Sequence, residues 1–223
     1  MASFSKTLRD AYTEKWDAST SHRFVSDLWT GTVPEAVMRR YLSQDYLFVD
    51  AFVALMGAAV SHSDSPGSRL AIARQLGMVA SDEDGYFVRA LTRLDPKFQA
   101  TALSSQEALV GHSRYTPHAA TAGFLQLMDE ARSSYAAALT VLLVAEWLYL
   151  DWATGVSPPP EDWLYAEWIE LHRGPAFEAW VQLLRDEFDR VASGAGEEMR
   201  KEMQGLFARA VKLELEFFDA AYE

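Results

Sequence analysis

The chain has 223 residues, of which 49% are hydrophobic, enough to build a sizeable core. Its 20 lysine and arginine residues are outnumbered by 32 aspartate and glutamate residues, and the net charge of -12 would repel the phosphates of a nucleic acid. Cysteine is absent, which excludes disulfides, thiolate metal sites and a cysteine nucleophile.

The amino-terminal stretch, MASFSKTLRDAYTEKWDAS, is polar and charged and lacks the apolar core of a signal peptide. No run of about 18 apolar residues, the length that a membrane-spanning helix requires, follows it. The sequence therefore predicts a soluble, cytoplasmic protein without a membrane partner.

Apolar residues recur at helical spacing along almost the whole chain, and no segment alternates with the period of a strand. The clearest stripe advances in steps of three and four residues and includes one acid: Met38, Tyr41, Leu42, Asp45, Phe48, Val49, Phe52 and Leu55. This spacing predicts a long helix with Asp45 on its buried face.

Stretches rich in glycine, proline and serine divide the pattern into helices of roughly ten to thirty residues. The stretches lie at residues 31–34, 61–67, 95–96, 115–117, 154–160, 173–175 and 193–196. None is long enough to link separate domains. We therefore predict one domain over residues 1–223, built as an all-α orthogonal helical bundle.

The apolar stretch at residues 136–152 is interrupted by Glu146. Because a buried charge without a partner is costly, this glutamate indicates either a functional site or an ion pair across the core, for which Arg132 is a candidate. Tyr149 lies three residues later and shares a face with Glu146, as Asp45 and Phe48 share a face of the earlier helix. Asp45 has its own structural alternative, a bond to a neighbouring helix.

Four segments resemble the TenA (thiaminase II) family, and they occur in the family's order. They are GTVPEAVMRRYLSQDYLFVDAF from residue 31, LLVAEWLYLDW from residue 142, EWIELH from residue 167 with Phe177 after it, and KLELEFFDAAY from residue 212. Together they extend over nearly the whole chain. The resemblance implies a haem-oxygenase-like helical bundle and a homotetramer.

The same resemblance assigns roles to individual residues. It implies that Asp45 holds an aminopyrimidine and that Glu214 faces the same pocket. Tyr149 corresponds to the tyrosine one helical turn after the family's catalytic cysteine, but Ala145 occupies the cysteine's position. The chain thus resembles the branch that lacks the cysteine, has a glutamate at the site, here Glu146, and salvages aminopyrimidines from thiamin breakdown. Thiamin cleavage through a thiolate is not expected.

Two residues differ from the family pattern, because His172 and Ala122 stand where pocket tyrosines are found. We predict that His172 contacts the substrate and that nearby carboxylates raise its pKa. The alternative is an ordinary histidine at a helix carboxyl terminus, favoured there by the helix dipole. Among the aromatic residues, Phe48 is the one predicted to contact the ligand rather than only the core.

The sequence thus predicts a hydrolase that acts on an aminomethyl- or formylaminomethyl-pyrimidine. A carboxylate can accept the amine's proton, a carboxylic acid can donate to a ring nitrogen, and acids in one apolar pocket raise one another's pKa. The predicted substrate-binding residues are Asp45, Phe48 and His172, and the predicted catalytic residues are Glu146, Glu214 and Tyr149. The alternative is a protein that binds an aminopyrimidine or thiamin without chemistry, or regulates indirectly.

No metal or other cofactor is predicted. None of the five histidines follows a glutamate by three residues, as a di-iron helix requires. His22, beside Arg23, is predicted to begin a helix rather than to bind haem.

Overall fold

The structure is a computed structural model that describes residues 3–95, 98, 115–155 and 158–223. These residues form helices and loops and include no strand, so the all-α prediction is confirmed. A π-helical turn, Val79–Glu83, joins the fifth helix to the sixth. The α-helices are α1 (Phe4–Ala11), α2 (Thr13–Thr20), α3 (Arg23–Thr30), α4 (Glu35–His62), α5 (Pro66–Met78), α6 (Asp84–Leu94), α7 (Ala119–Ala131), α8 (Tyr135–Ala153), α9 (Trp163–Leu171), α10 (Pro175–Gly194) and α11 (Glu197–Ala220).

Most of the predicted breaks coincide with helix ends. Those at 31–34, 173–175 and 193–196 fall at the junctions of α3 with α4, α9 with α10, and α10 with α11. Pro96, in the break at 95–96, and Val156 and Ser157, in the break at 154–160, lie outside the described residues. Helices α1 to α3, with eight residues each, and α9, with nine, fall below the predicted range of roughly ten to thirty residues. No glycine or proline marks the boundary between α1 and α2.

Helix α8 lies at the centre of the fold. Its first turn is capped by Ser134, whose side chain accepts a hydrogen bond from the backbone N–H of Ala137. The helix packs against α2, α4, α7, α10 and α11, and every residue from Tyr135 to Leu148 is buried. A helix enclosed on all sides is expected to be apolar all round, and Glu146 is the charged exception.

By length and composition alone, α4 and α8 are apolar enough to cross a membrane. In α8, 83% of the apolar window is buried inside the protein, as in the core helix of a soluble protein. The corresponding share in α4 is 39%. Two such helices are weak evidence for a membrane protein.

Helix α4 carries the predicted stripe, and Asp45 lies on its buried face among Tyr41, Leu42 and Val49. The π-helical turn and α6 follow α5, and α5 and α6 both pack against α4. Gly174 precedes the first residue of α10 and has a φ of +88°, a backbone conformation that residues other than glycine rarely adopt. This turn redirects the chain immediately after His172.

Candidate active site

A cavity of about 250 Å³ opens between α4, α8, the π-helical turn and the junction of α9 with α10. Each of these four segments contributes an ionisable side chain to the wall. They are Asp45 from α4, Glu146 from α8, Glu83 from the π-helical turn, and His172 and Arg173 from the junction. The side chains that the sequence places far apart therefore meet at one cavity.

Asp45 is buried, with 5% of its surface exposed, and its Oδ2 atom has no hydrogen-bond partner. Burial raises its pKa to about 7, while the nearby Tyr41 hydroxyl acts in the opposite direction. The structural alternative for Asp45 required a bond to a neighbouring helix, and Oδ2 makes none. The free oxygen can therefore bind a ligand.

Glu146 is also buried at the cavity, and burial raises its pKa to about 7. The Trp180 indole partly offsets this rise, although its Nε1 makes no hydrogen bond of normal geometry. The alternative ion pair with Arg132 is wrong, because Arg132 is 46% exposed and pairs with Asp129. Ala145 lines the cavity beside Glu146, so the position that a cysteine would occupy faces the same space.

Glu214 lies behind the cavity rather than on its wall. It is 2% exposed, and its Oε1 atom has no hydrogen-bond partner. Burial, followed by the charge of Asp45, raises its pKa well above the ordinary value, which favours its protonated form. The role of Glu214 at the pocket stays a prediction; Glu214 is not among the lining residues, but it lies within reach of Asp45's charge.

Tyr149 lines the cavity, and its hydroxyl forms a 2.7 Å hydrogen bond with the hydroxyl of Tyr41. Burial, followed by the charges of Asp45 and Glu214, raises the pKa of Tyr149 well above the ordinary value. The phenol therefore stays protonated, and its hydroxyl can form hydrogen bonds both to Tyr41 and to a ligand.

His172 lines the cavity as predicted, but the predicted rise in its pKa is wrong. Burial lowers its pKa to about 4, and a hydrogen bond to the Trp168 carbonyl offsets only part of this effect. The bond joins Nδ1 to the Trp168 carbonyl oxygen at 2.8 Å. Since a carbonyl only accepts, Nδ1 carries the proton in the neutral ring and Nε2 is left as an acceptor.

Aromatic side chains form much of the remaining wall. Phe48 lines the cavity as predicted, and its ring stacks on Phe52 with centroids 5.4 Å apart. Phe52, Trp168 and Phe177 line the cavity too, although Phe48 was the one aromatic residue predicted to contact the ligand. Ala122 is exposed and away from the cavity, so the prediction that it replaces a pocket tyrosine is wrong.

Glu83 is the functional candidate that the sequence analysis missed. It lies in the acidic stretch Ser81–Asp84, which resembles solvated surface, and nothing in the sequence marks a π-helical turn. By surface area Glu83 is half-buried, and it borders the cavity. Burial, followed by the charges of Asp45 and Glu146, raises its pKa well above the ordinary value.

No group of three histidine, aspartate and glutamate side chains that could hold a metal ion occurs within the described ranges. His22 caps α3, where its Nδ1 accepts a 3.0 Å hydrogen bond from the backbone N–H of Phe24, as expected of a histidine that begins a helix.

Comparison with known proteins agrees with this arrangement. The chain is 23% identical over 220 residues to an aminopyrimidine aminohydrolase of Bacillus subtilis, covering 98% of this chain and 89% of the relative. It is 22% identical over 223 residues to an aminopyrimidine aminohydrolase of Halalkalibacterium halodurans, with coverage of 99% and 96%. A TenA homologue from P. horikoshii OT3 has the same fold, with a TM-score of 0.80, 20% identity and 99% coverage of both chains. The profile of the TENA/THI-4/PQQC family matches residues 9–223, and the chain belongs to this family.

Proposed function

We propose that this protein is a thiamin-pyrimidine salvage hydrolase, which converts an aminomethyl- or formylaminomethyl-pyrimidine to the hydroxymethyl-pyrimidine. The observation that carries the proposal is the pair Asp45 and Glu146, two buried carboxyls on one largely apolar cavity, neither of which has an ion-pair partner among the described residues. The relatives named aminopyrimidine aminohydrolase support the same activity.

Asp45 is suited to holding the pyrimidine. Its free Oδ2 can accept a hydrogen bond from the exocyclic amine when ionised, or donate one to a ring nitrogen when protonated. With a pKa of about 7, it has both forms available near neutral pH. Phe48 offers a ring face to the pyrimidine, and Nε2 of His172 is a second acceptor.

Glu146 is suited to activating water. In its ionised form it takes a proton from a water molecule, whose oxygen forms a bond to the methylene carbon of the substrate. The bond between that carbon and nitrogen breaks, and the nitrogen leaves as ammonia after gaining a proton. Because Ala145 offers no nucleophile, water attacks directly and no covalent enzyme intermediate forms. The reaction requires no cofactor.

Tyr149 and Glu214 support this chemistry from behind the reacting groups. The hydrogen bond between the hydroxyls of Tyr149 and Tyr41 holds the Tyr149 phenol at the cavity wall. Burial and the charge of Asp45 favour the neutral form of Glu214, which limits the negative charge beside the substrate-binding carboxyl.

For the assembly, we infer a single domain over residues 1–223, acting in the cytoplasm as a homotetramer without nucleic-acid or membrane partners. Sedimentation is expected to give about four times the chain mass of 25.0 kDa. A mass equal to that of one chain would contradict the tetramer.

The test of the activity is incubation of the purified protein with aminomethyl-pyrimidine, following ammonia release and the hydroxymethyl product. Formate release is followed in parallel for the formylaminomethyl compound, and thiamin is the comparison substrate. We expect turnover of the aminopyrimidine and little cleavage of thiamin. Binding of the aminopyrimidine without turnover would instead favour the non-catalytic binder.

A further inference from the structure

Glu83 ends the π-helical turn between α5 and α6, and its side chain borders the cavity together with Asp45 and Glu146. Its charge interacts with the charges of both of these residues. A ligand that contacts Asp45 and Glu146 is therefore also close to Glu83.

No cation neutralises Glu83 in the part of the chain that the structure describes. The arginine that borders the cavity, Arg173, is bound to Glu170 through its guanidinium group. Burial and the charges of Asp45 and Glu146 raise the pKa of Glu83 well above its ordinary value and so favour its protonated form. A protonated Glu83 and an ionised Glu146 would place an acid and a base at the same cavity.

The π-helical turn determines which side chains of this segment face the cavity. Val79, Asp82 and Glu83 all border it. One added residue in an α-helix rotates all of the following side chains by about 100° around the helix axis. A regular α-helix in place of the π-helical turn would therefore point different side chains towards the cavity. Such turns occur frequently at functional sites.

We propose that Glu83 is a further catalytic residue of this site and supplies the proton that leaves with the substrate's nitrogen. The inference rests on the proposed function. Glu146 takes a proton from water, the water oxygen bonds to the methylene carbon, and the carbon–nitrogen bond breaks with its electron pair on nitrogen. The nitrogen takes the Glu83 proton and leaves as ammonia. Glu83 is then ionised and Glu146 protonated, and exchange with solvent restores both.

The pH dependence of this step follows from all groups near Glu83. They are Asp45 of α4, Asp82 and Asp84 of its own segment, Glu146 and Tyr149 of α8, and Glu170, His172 and Arg173 at the junction of α9 with α10. Since the step needs protonated Glu83, kcat of the wild type is expected to fall at high pH, as Glu83 loses its proton.

The test compares the wild type with Glu83→Gln and Glu83→Asp on aminomethyl-pyrimidine. Glu83→Gln is expected to lower kcat about a hundredfold, the usual scale for a general acid, with little change in Kd. Its residual activity is expected to lack the decline at high pH. Glu83→Asp keeps an acid at this position and is expected to recover part of the lost rate.

Asp50→Asn is the matched control, because it removes one charge from the exposed face of α4. It is expected to keep both kcat and the decline at high pH, and thermal unfolding checks that each variant is folded. A wild-type rate and pH profile in Glu83→Gln would overturn this inference and leave the proposed function standing. A wild type that releases no ammonia would overturn the proposed function, and this inference with it.

Discussion

The acidic residues of the cavity and those of the outer surface occupy contrasting environments. On the surface, both carboxyl oxygens of Asp162 accept hydrogen bonds from Arg93 at 2.6 Å, and Arg190 bridges Asp64 and Glu187. At the cavity, Asp45, Glu83 and Glu146 pair with no cation among the described residues.

The difference extends to proton affinity. The Arg93 hydrogen bond lowers the pKa of Asp162, whereas burial raises the pKa of Asp45, Glu146 and Glu214. Unpaired buried carboxyls reduce the stability of a fold. An exposed acid without a partner is solvated by water, but Asp45, Glu146 and Glu214 are buried, so this unpaired set is best explained by a ligand that completes it.

The largest effect is expected from Glu146→Gln. The amide keeps the size of the side chain but cannot take a proton from water, so kcat for aminomethyl-pyrimidine is expected to fall at least about a hundredfold. Substrate binding and thermal unfolding are expected to stay near those of the wild type. The control is Glu178→Gln, which changes an exposed glutamate of α10 and is expected to leave kcat unchanged. Equal turnover in the wild type and Glu146→Gln would make Glu146 a structural residue.

Stability as a function of pH would test the same contrast without substrate. The pKa of Asp45 rises from 3.8 to about 7 on folding, so the folded state binds more protons than the unfolded state across this window. The free energy of unfolding is therefore expected to decrease as pH rises from about 4 to 8, by up to a few kcal/mol from this residue. Urea unfolding at pH 5 and pH 8 would measure the decrease, and Asp45→Asn is expected to reduce it.

Asp162→Asn is the control for this measurement. Because pairing with Arg93 lowers the pKa of Asp162, its contribution is present above its ordinary pKa and is lost only as pH falls through the lowered value. The variant is therefore expected to lose similar stability at pH 5 and pH 8 and to keep the wild-type difference between them. If the free energy of unfolding of Asp45→Asn varied with pH as it does in the wild type, the destabilisation assigned to ionised Asp45 would be contradicted.

A smaller effect is expected on substrate binding in Asp45→Asn. An amide can present its NH2 group to the substrate's amine, which replaces an attractive contact with two opposed donors. Kd measured by calorimetry is expected to rise about tenfold, equivalent to roughly 1.4 kcal/mol. Asp50→Asn, on the exposed face of the same helix, provides the comparison. An unchanged Kd in Asp45→Asn would remove Asp45 from the binding site.

The sequence predicts best where one local pattern decides the structure. The stripe through Asp45 has helical spacing over many residues, and Glu146 interrupts an apolar run, so both could be assigned to buried helix faces without tertiary information. Asp45 and Glu146 then lay on the cavity as predicted. Glu83 could not be found this way, because its place at the cavity depends on a π-helical turn and on the packing of α5 and α6 against α4.

The sequence also could not predict which side chains pair with one another. Arg132 was a reasonable partner for Glu146 until the ends of α7 and α8 were known, and those ends place it beside Asp129 at the surface. The pKa of His172 depended on a balance between neighbouring charge and loss of water contact. Residue types alone give the sign of each effect but not which one is larger.

His172 gives the smallest expected effect. Burial lowers its pKa to about 4, and its Nδ1–H is bound to the Trp168 carbonyl, so the ring is neutral from about pH 5 upward. The pH dependence of kcat between pH 5.5 and 8 is then expected to come from the cavity carboxyls, and His172→Tyr is expected to leave its shape unchanged. The matching direct measurement is the imidazole C2–H resonance of His172, assigned by its loss in the variant. A resonance that stays constant over this pH range would support the neutral ring as an acceptor at the cavity wall, and a titration midpoint near or above 6.5 would mean that the carboxylates outweigh burial.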